Sequence, residues 1–139
     1  MWTPGPYRTH GVAIFDYDND GDNDVMVGNG GFFDDQREPD RFWRNDTPCT
    51  WHWVKLRLRE PGLNTTAIGA EVEVRDADGW AVYRRHSLAG GFTSSQPDIL
   101  HVGMGDHPGP YTVTVRWPTG EEDVYPAIEG EALTTLTAG

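Results

Sequence analysis

From Trp53 onward the chain repeats one pattern, in which apolar and polar residues alternate over short runs separated by turn residues. In Trp53-Val54-Lys55-Leu56-Arg57-Leu58-Arg59, an extended backbone places Val54, Leu56 and Leu58 on one face and Lys55, Arg57 and Arg59 on the other. A helix face would need apolar residues three and four apart, and no long stretch of the sequence offers that spacing. The alternation returns in Ala70-Glu71-Val72-Glu73-Val74-Arg75 and, after Asp76-Ala77-Asp78-Gly79, in Trp80-Ala81-Val82-Tyr83-Arg84-Arg85, which predicts a hairpin. Asp98-Ile99-Leu100-His101-Val102 and Tyr111-Thr112-Val113-Thr114-Val115-Arg116-Trp117 read as two more strands, the second with Val113, Val115 and Trp117 inward. Pro118-Thr119-Gly120-Glu121 then turns the chain into Asp123-Val124-Tyr125. About seven short strands at this spacing predict an all-β fold, an antiparallel β-sandwich of immunoglobulin-like or jelly-roll-like type over 51–139.

Ahead of it stands Asp16-Tyr17-Asp18-Asn19-Asp20-Gly21-Asp22-Asn23-Asp24, with carboxylates at every second position and a glycine at the bend. Gathering so many like charges is costly unless a cation neutralises them. Ca²⁺ takes oxygen ligands from flexible loops of this kind, so Asp16, Asp18, Asp20, Asp22 and Asp24 are the candidate metal ligands, Asp22 through its carbonyl. The opening matches an EF-hand loop, but its twelfth position, where a bidentate acid belongs, is Val27. Val12-Ala13-Ile14-Phe15 before and Val25-Met26-Val27-Gly28 after make the flanks strands rather than helices. Paired catalytic carboxylates are a poorer reading, because that chemistry needs two acids in different environments across a cleft.

These residues resemble the FG-GAP or VCBS repeat, a blade of integrin-like β-propellers, over Gly11 to Gly30, with Phe42-Trp43-Arg44-Asn45 similar to the strand that closes a blade. Ala67-Ile68-Gly69-Ala70, Gly90-Gly91 before Ser94-Ser95-Gln96, His101-Val102-Gly103-Met104-Gly105 and Val115-Arg116-Trp117-Pro118-Thr119-Gly120 resemble the ASPIC/UnbV domain. Asn64-Thr65-Thr66 stands where that family often has Asn-Arg-Asp. The order of the two units is similar to that in secreted proteins resembling cartilage acidic protein. The resemblance implies a calcium-binding propeller-blade-like unit at 1–50, a sandwich at 51–139, and an extracellular or cell-surface location.

A net charge of −11 excludes the basic face that nucleic acid requires. No apolar run reaches the length of a membrane-spanning helix. Met1-Trp2-Thr3-Pro4-Gly5-Pro6 has neither the basic start nor the apolar stretch of a secretory signal, so extracellular placement is expected of a chain whose signal is gone or which is part of something longer. Cys49, the single cysteine, reads as a small apolar residue. Asn45-Asp46-Thr47 and Asn64-Thr65-Thr66 are sequons, making Asn45 and Asn64 candidate glycosylation sites. No histidine pair has zinc spacing, and no nucleophile, base and acid stand in a recognisable triad context. One propeller blade cannot cover its own faces, and Tyr7 to His10 offers an edge that a neighbour could extend. The expectation is therefore a secreted, non-catalytic, calcium-binding structural or interaction module, able to self-assemble into an oligomer or filament by edge pairing. The alternatives are a carbohydrate-binding or adhesion module, with glycans or extracellular proteins as partners, and an accessory domain of a biosynthetic enzyme system.

Overall fold

The computed structural model describes residues 8–31, 37–48, 50–92 and 94–139. Met1 to Tyr7 and Cys49 lie outside the described residues. The described chain is all-β, with twelve strands and no helix. It divides into two compact units: one gathers the described residues up to Pro48 together with Ala89–Gln96, the other the residues up to Leu88 together with Pro97–Gly139. Ala89–Gln96, inside the stretch read from sequence as one sandwich, thus lies with the first unit.

The first unit is a three-stranded antiparallel meander, β1 (Thr9–Phe15), β2 (Asp24–Asn29) and β3 (Arg41–Trp43), in that order across the sheet. Val12 faces Val27 and Ile14 faces Val25, and Val25 in turn faces Trp43, so the apolar residues that predicted strands meet across the ladder. Thr9 and His10, read as a free edge segment, are part of β1.

The second unit holds seven strands. β4 (His52–Arg59) is the centre of one sheet; β5 (Glu71–Arg75) and β6 (Ala81–Arg85) form the expected hairpin in the other. Between them and the later strands the chain leaves for the first unit as a small hairpin, β7 (Ala89–Gly91) and β8 (Ser94–Ser95). β9 (Leu100–Gly105), β10 (Tyr111–Arg116), β11 (Glu122–Ile128) and β12 (Leu133–Thr137) complete the sheets β11-β10-β5-β6 and β12-β4-β9. Alternate residues of both sheets meet in one core: Val54, Leu56 and Leu58 of β4 and Val102 and Met104 of β9 with Val72, Val74, Val113, Val115 and Trp117. Each of these is at most 2% exposed, which is what the period of two requires of a two-layer sandwich.

Four particulars differ from the sequence reading. β9 begins at Leu100, leaving Asp98 and Ile99 in the preceding bend. β12 was not foreseen, and it pairs with β4 in parallel, Leu136 opposite Leu58, so the sandwich is not wholly antiparallel. Lys55, assigned to an outward face, is only 4% exposed: β4 is flanked on both sides, and the ammonium sits 5.0 Å from the centre of the Trp53 ring. Trp80 lies outside β6 and stacks flat on His107 at 4.0 Å.

Loop chemistry pins the sandwich. Asn64 accepts a hydrogen bond from Ile68 N and donates to Ile68 O, both at 3.0 Å. The Ala67-Ile68-Gly69-Ala70 turn is then tied to His86, whose carbonyl accepts from Gly69 N at 2.9 Å and whose amide donates to Ala70 O at 2.8 Å. Where β7 and β8 leave and rejoin the second unit, Arg59 Nη1 donates to Asp98 Oδ2 at 2.7 Å, and the buried His86 Nε2 lies 3.3 Å from Asp98 Oδ1 without the alignment of a hydrogen bond.

Candidate metal centre

The ladder of β1 and β2 closes at Phe15 opposite Asp24, so the acidic run is the loop that joins them. Gly21 at φ 99° and Asn19 at φ 63° occupy the left-handed region, which glycine enters without cost and asparagine with little. Asp16 Oδ2 accepts from Gly21 N at 2.8 Å, folding the loop back on its first residue. Asp24 is 1% exposed, and its two oxygens accept from Tyr17 N and from Asn45 N, each at 2.7 Å. One carboxylate therefore joins the start of the loop, the start of β2 and the segment after β3. The Tyr17 ring rests edge-on against Phe42 of β3 at 5.2 Å, an apolar support under the same turn.

The result brings Asp16, Asp18 and Asp24 together: one carboxylate oxygen from each lies within 4.8 Å of the others. Oxygens bound to one Ca²⁺ at about 2.4 Å can be no more than about 5 Å apart, so this donor set fits that ion. Asp20 and Asp22 are not in this group. Asp20 is exposed, and its Oδ1 accepts from Asp22 N at 2.9 Å, a local turn contact. Arg44 reaches the cluster from beyond β3, with Nη1 3.6 Å from Asp18 Oδ2 and Nη2 2.6 Å from Asp46 Oδ1. The hydrogen bond to Asp46, that carboxylate's charge and, more weakly, Asp18 and Asp20 hold its guanidinium more firmly protonated than usual. The spacing of the aspartates marks the loop; nothing local in the sequence marks Asn45 N or Arg44 as its neighbours.

The two sequon asparagines are both engaged. Asn45 Oδ1 accepts from Thr47 N at 3.2 Å, and Asn64 Nδ2, the atom a glycan would take, donates to Ile68 O.

Residues 60–139, more than half of the chain, match the family model for ASPIC and UnbV, a span that takes in the second unit from the end of β4 and leaves the acidic loop outside. No curated protein matches the chain. A domain of this type suggests an accessory module of extracellular kind. The chain belongs to the ASPIC and UnbV family.

Proposed function

We propose that the chain is a secreted, non-catalytic module for structure and interaction, whose first unit is held rigid by Ca²⁺ bound in the loop from Asp16 to Asp24. The observation that carries this reading is the convergence of Asp16, Asp18 and Asp24 on one point of a loop tied by backbone hydrogen bonds. Three carboxylates at that distance repel one another, and the ion would remove the repulsion while binding only the folded loop. Asp20 and Asp22 lie on the same loop and would complete the ligand set, Asp22 through its carbonyl. The likeness of this strand, acidic loop and strand to VCBS repeats supports the same reading. Pairing of open strand edges between copies is the form of assembly available to such a module.

Calorimetric titration of Ca²⁺ into the wild type and Asp18→Ala tests it. Asp18 is exposed and its ion pair is the long one with Arg44 at 3.6 Å, so the variant should fold normally in chelator, within about 0.5 kcal/mol of wild type. It should bind calcium at least about tenfold more weakly, the equivalent of about 1.4 kcal/mol. A wild type with no saturable heat, or a variant that binds as well as wild type, contradicts the reading.

A second reading, a carbohydrate-binding module, has one observation in its favour. The outer face of β5, β6 and β10 carries a solvent-open concavity lined by Glu71, Glu73, Tyr83, Arg84, Arg116 and Glu122, an aromatic ring among paired hydrogen-bonding groups. Tyr83→Ala should abolish glycan-array binding if this face is the site.

A further inference from the structure

The sheet β11-β10-β5-β6 turns Val72, Val74, Val113 and Val115 into the core, and the strand register lays out its other face in rows. Glu122, Arg116, Glu71 and Arg85 stand side by side across the four strands, and Val124, Thr114, Glu73 and Tyr83 form the next row. Acids and arginines therefore alternate along the first row. Arg116 is shared between the acids beside it, with Nη2 3.2 Å from Glu122 Oε2 and Nη1 3.5 Å from Glu71 Oε2. In the second row Arg75 Nε donates to Glu73 Oε1 at 2.7 Å. The Tyr83 hydroxyl donates to the same carboxylate, and that hydrogen bond, then Arg75, outweigh burial and hold Glu73 below its ordinary 4.5.

Arg85 ends the first row and is left over. Glu71 lies opposite it on β5, yet among the described residues the Arg85 guanidinium has no ion pair and no hydrogen bond. Arg84 beside it donates to Tyr83 O at 3.0 Å and pairs with no carboxylate. Both line the concavity over this face, which measures about 560 Å³, the size of a small-molecule site.

What the concavity offers limits what it can take. The free guanidinium calls for a planar anion, best a carboxylate, which accepts two parallel N–H bonds. Tyr83 is 66% exposed while its hydroxyl is tied to Glu73, so its ring is a fixed flat platform for an apolar face. Glu71 and Glu122 spend Oε2 on Arg116 and keep Oε1 as an acceptor, which suits hydroxyl donors and repels further negative charge. A carboxylate, a flat C–H face and a set of hydroxyls on one small unit describe a uronic acid residue. A neutral sugar would leave Arg85 unmet, and a densely sulfated chain would set its sulfates against Glu71, Glu73 and Glu122.

We infer that the outer face of β5, β6, β10 and β11 binds acidic polysaccharide through its uronate residues, with Arg85 taking the carboxylate. The inference rests on the reading of this face as a carbohydrate site, and it is independent of calcium.

The test is calorimetric titration of the full chain, in chelator, with short oligomers of galacturonate, glucuronate and mannuronate and with their methyl esters, which keep the hydroxyls and lose the charge. At least one acid should bind saturably and its ester about tenfold more weakly, the equivalent of about 1.4 kcal/mol. Arg85→Ala should weaken binding of the acid by about tenfold or more and leave binding of the ester unchanged. Arg85→Lys should recover only part of the loss, because an ammonium cannot make the paired bonds. Arg85 is exposed, so both variants should unfold at the wild-type denaturant midpoint. Acid and ester bound alike, or an Arg85→Ala chain that binds the acid as wild type does, overturns the inference and leaves the carbohydrate reading standing. A sulfated oligosaccharide without carboxyls that binds as tightly as the acid overturns it as well. No saturable heat with any acid or ester, and no signal from neutral glycans on an array, overturns both.

Discussion

Aspartates of one loop carry different tasks, and substitution separates them. Asp24 is buried and satisfies two backbone amides, so Asp24→Ala leaves both without their acceptor and should cost about 2–4 kcal/mol in chelator as well as in calcium, measured by denaturant unfolding of the first unit. Asp18→Ala should cost stability in calcium only. The alternation of acids made the loop legible in the sequence. It could not show which carboxylate is structural, because the amide of Asn45 arrives from 21 residues away. A second aspartate, Asp76, sits in the turn between β5 and β6 with His107 Nδ1 at 2.7 Å from Oδ2 and Trp80 N at 2.8 Å from Oδ1. Burial raises its pKa, but the His107 and backbone hydrogen bonds outweigh that and leave it below its ordinary 3.8. A depressed pKa means that its contribution is fully present above the ordinary value and is lost as pH falls through the lowered one. Asp76→Asn should therefore flatten the acid limb of the stability curve below about pH 4, where a limb as steep as in wild type would contradict this account.

At the level of elements, the strands with clean alternation were legible and the others were not. β4, β5 and β10 bury Val54, Leu56 and Leu58, Val72 and Val74, and Tyr111, Val113 and Val115 on one face because the sandwich has one dry side, and that period survives in the sequence. β12 reads Leu-Thr-Thr-Leu-Thr, with its leucines three apart, and its partner β4 lies more than 70 residues earlier. Its burial comes from that parallel pairing, which no local pattern encodes. Leu136, 3% exposed opposite Leu58, is its anchor, and Leu136→Ala should lower the stability of the second unit by about 2–4 kcal/mol in thermal or denaturant unfolding. A loss under about 0.5 kcal/mol, the range of ordinary surface changes, would mean that β12 is not part of the core. β7 and β8 were equally hidden: Ala-Gly-Gly and Ser-Ser carry no apolar signal, and their attachment to the first unit runs through polar side chains.

For the whole molecule, the family match covers the second unit from the end of β4, and the acidic loop of the first unit lies outside it. Tyr111, whose hydroxyl donates to His107 O at 2.9 Å, and Tyr125, whose hydroxyl donates to Thr137 O at 2.7 Å, tie the sandwich together near its close. Burial, then the charges of Glu131 and Asp76, pushes Tyr111 up to about 12; burial and Asp123 do the same for Tyr125. The neutral phenols are the folded form, so their contribution is whole below pH 10 and is lost as pH rises toward 12. Tyrosinate absorbance should show Tyr111 and Tyr125 ionising in a late step together with unfolding, and a single early step for all five tyrosines would contradict it. The central claim, that the first unit is built around a calcium ion, is tested most directly by amide-resolved NMR of the full chain during a calcium titration. Saturable shifts confined to residues 16–24 and Asn45, with the second unit unmoved, are the predicted result; no shifts, or weak shifts spread over the acidic surface without saturation, would contradict it.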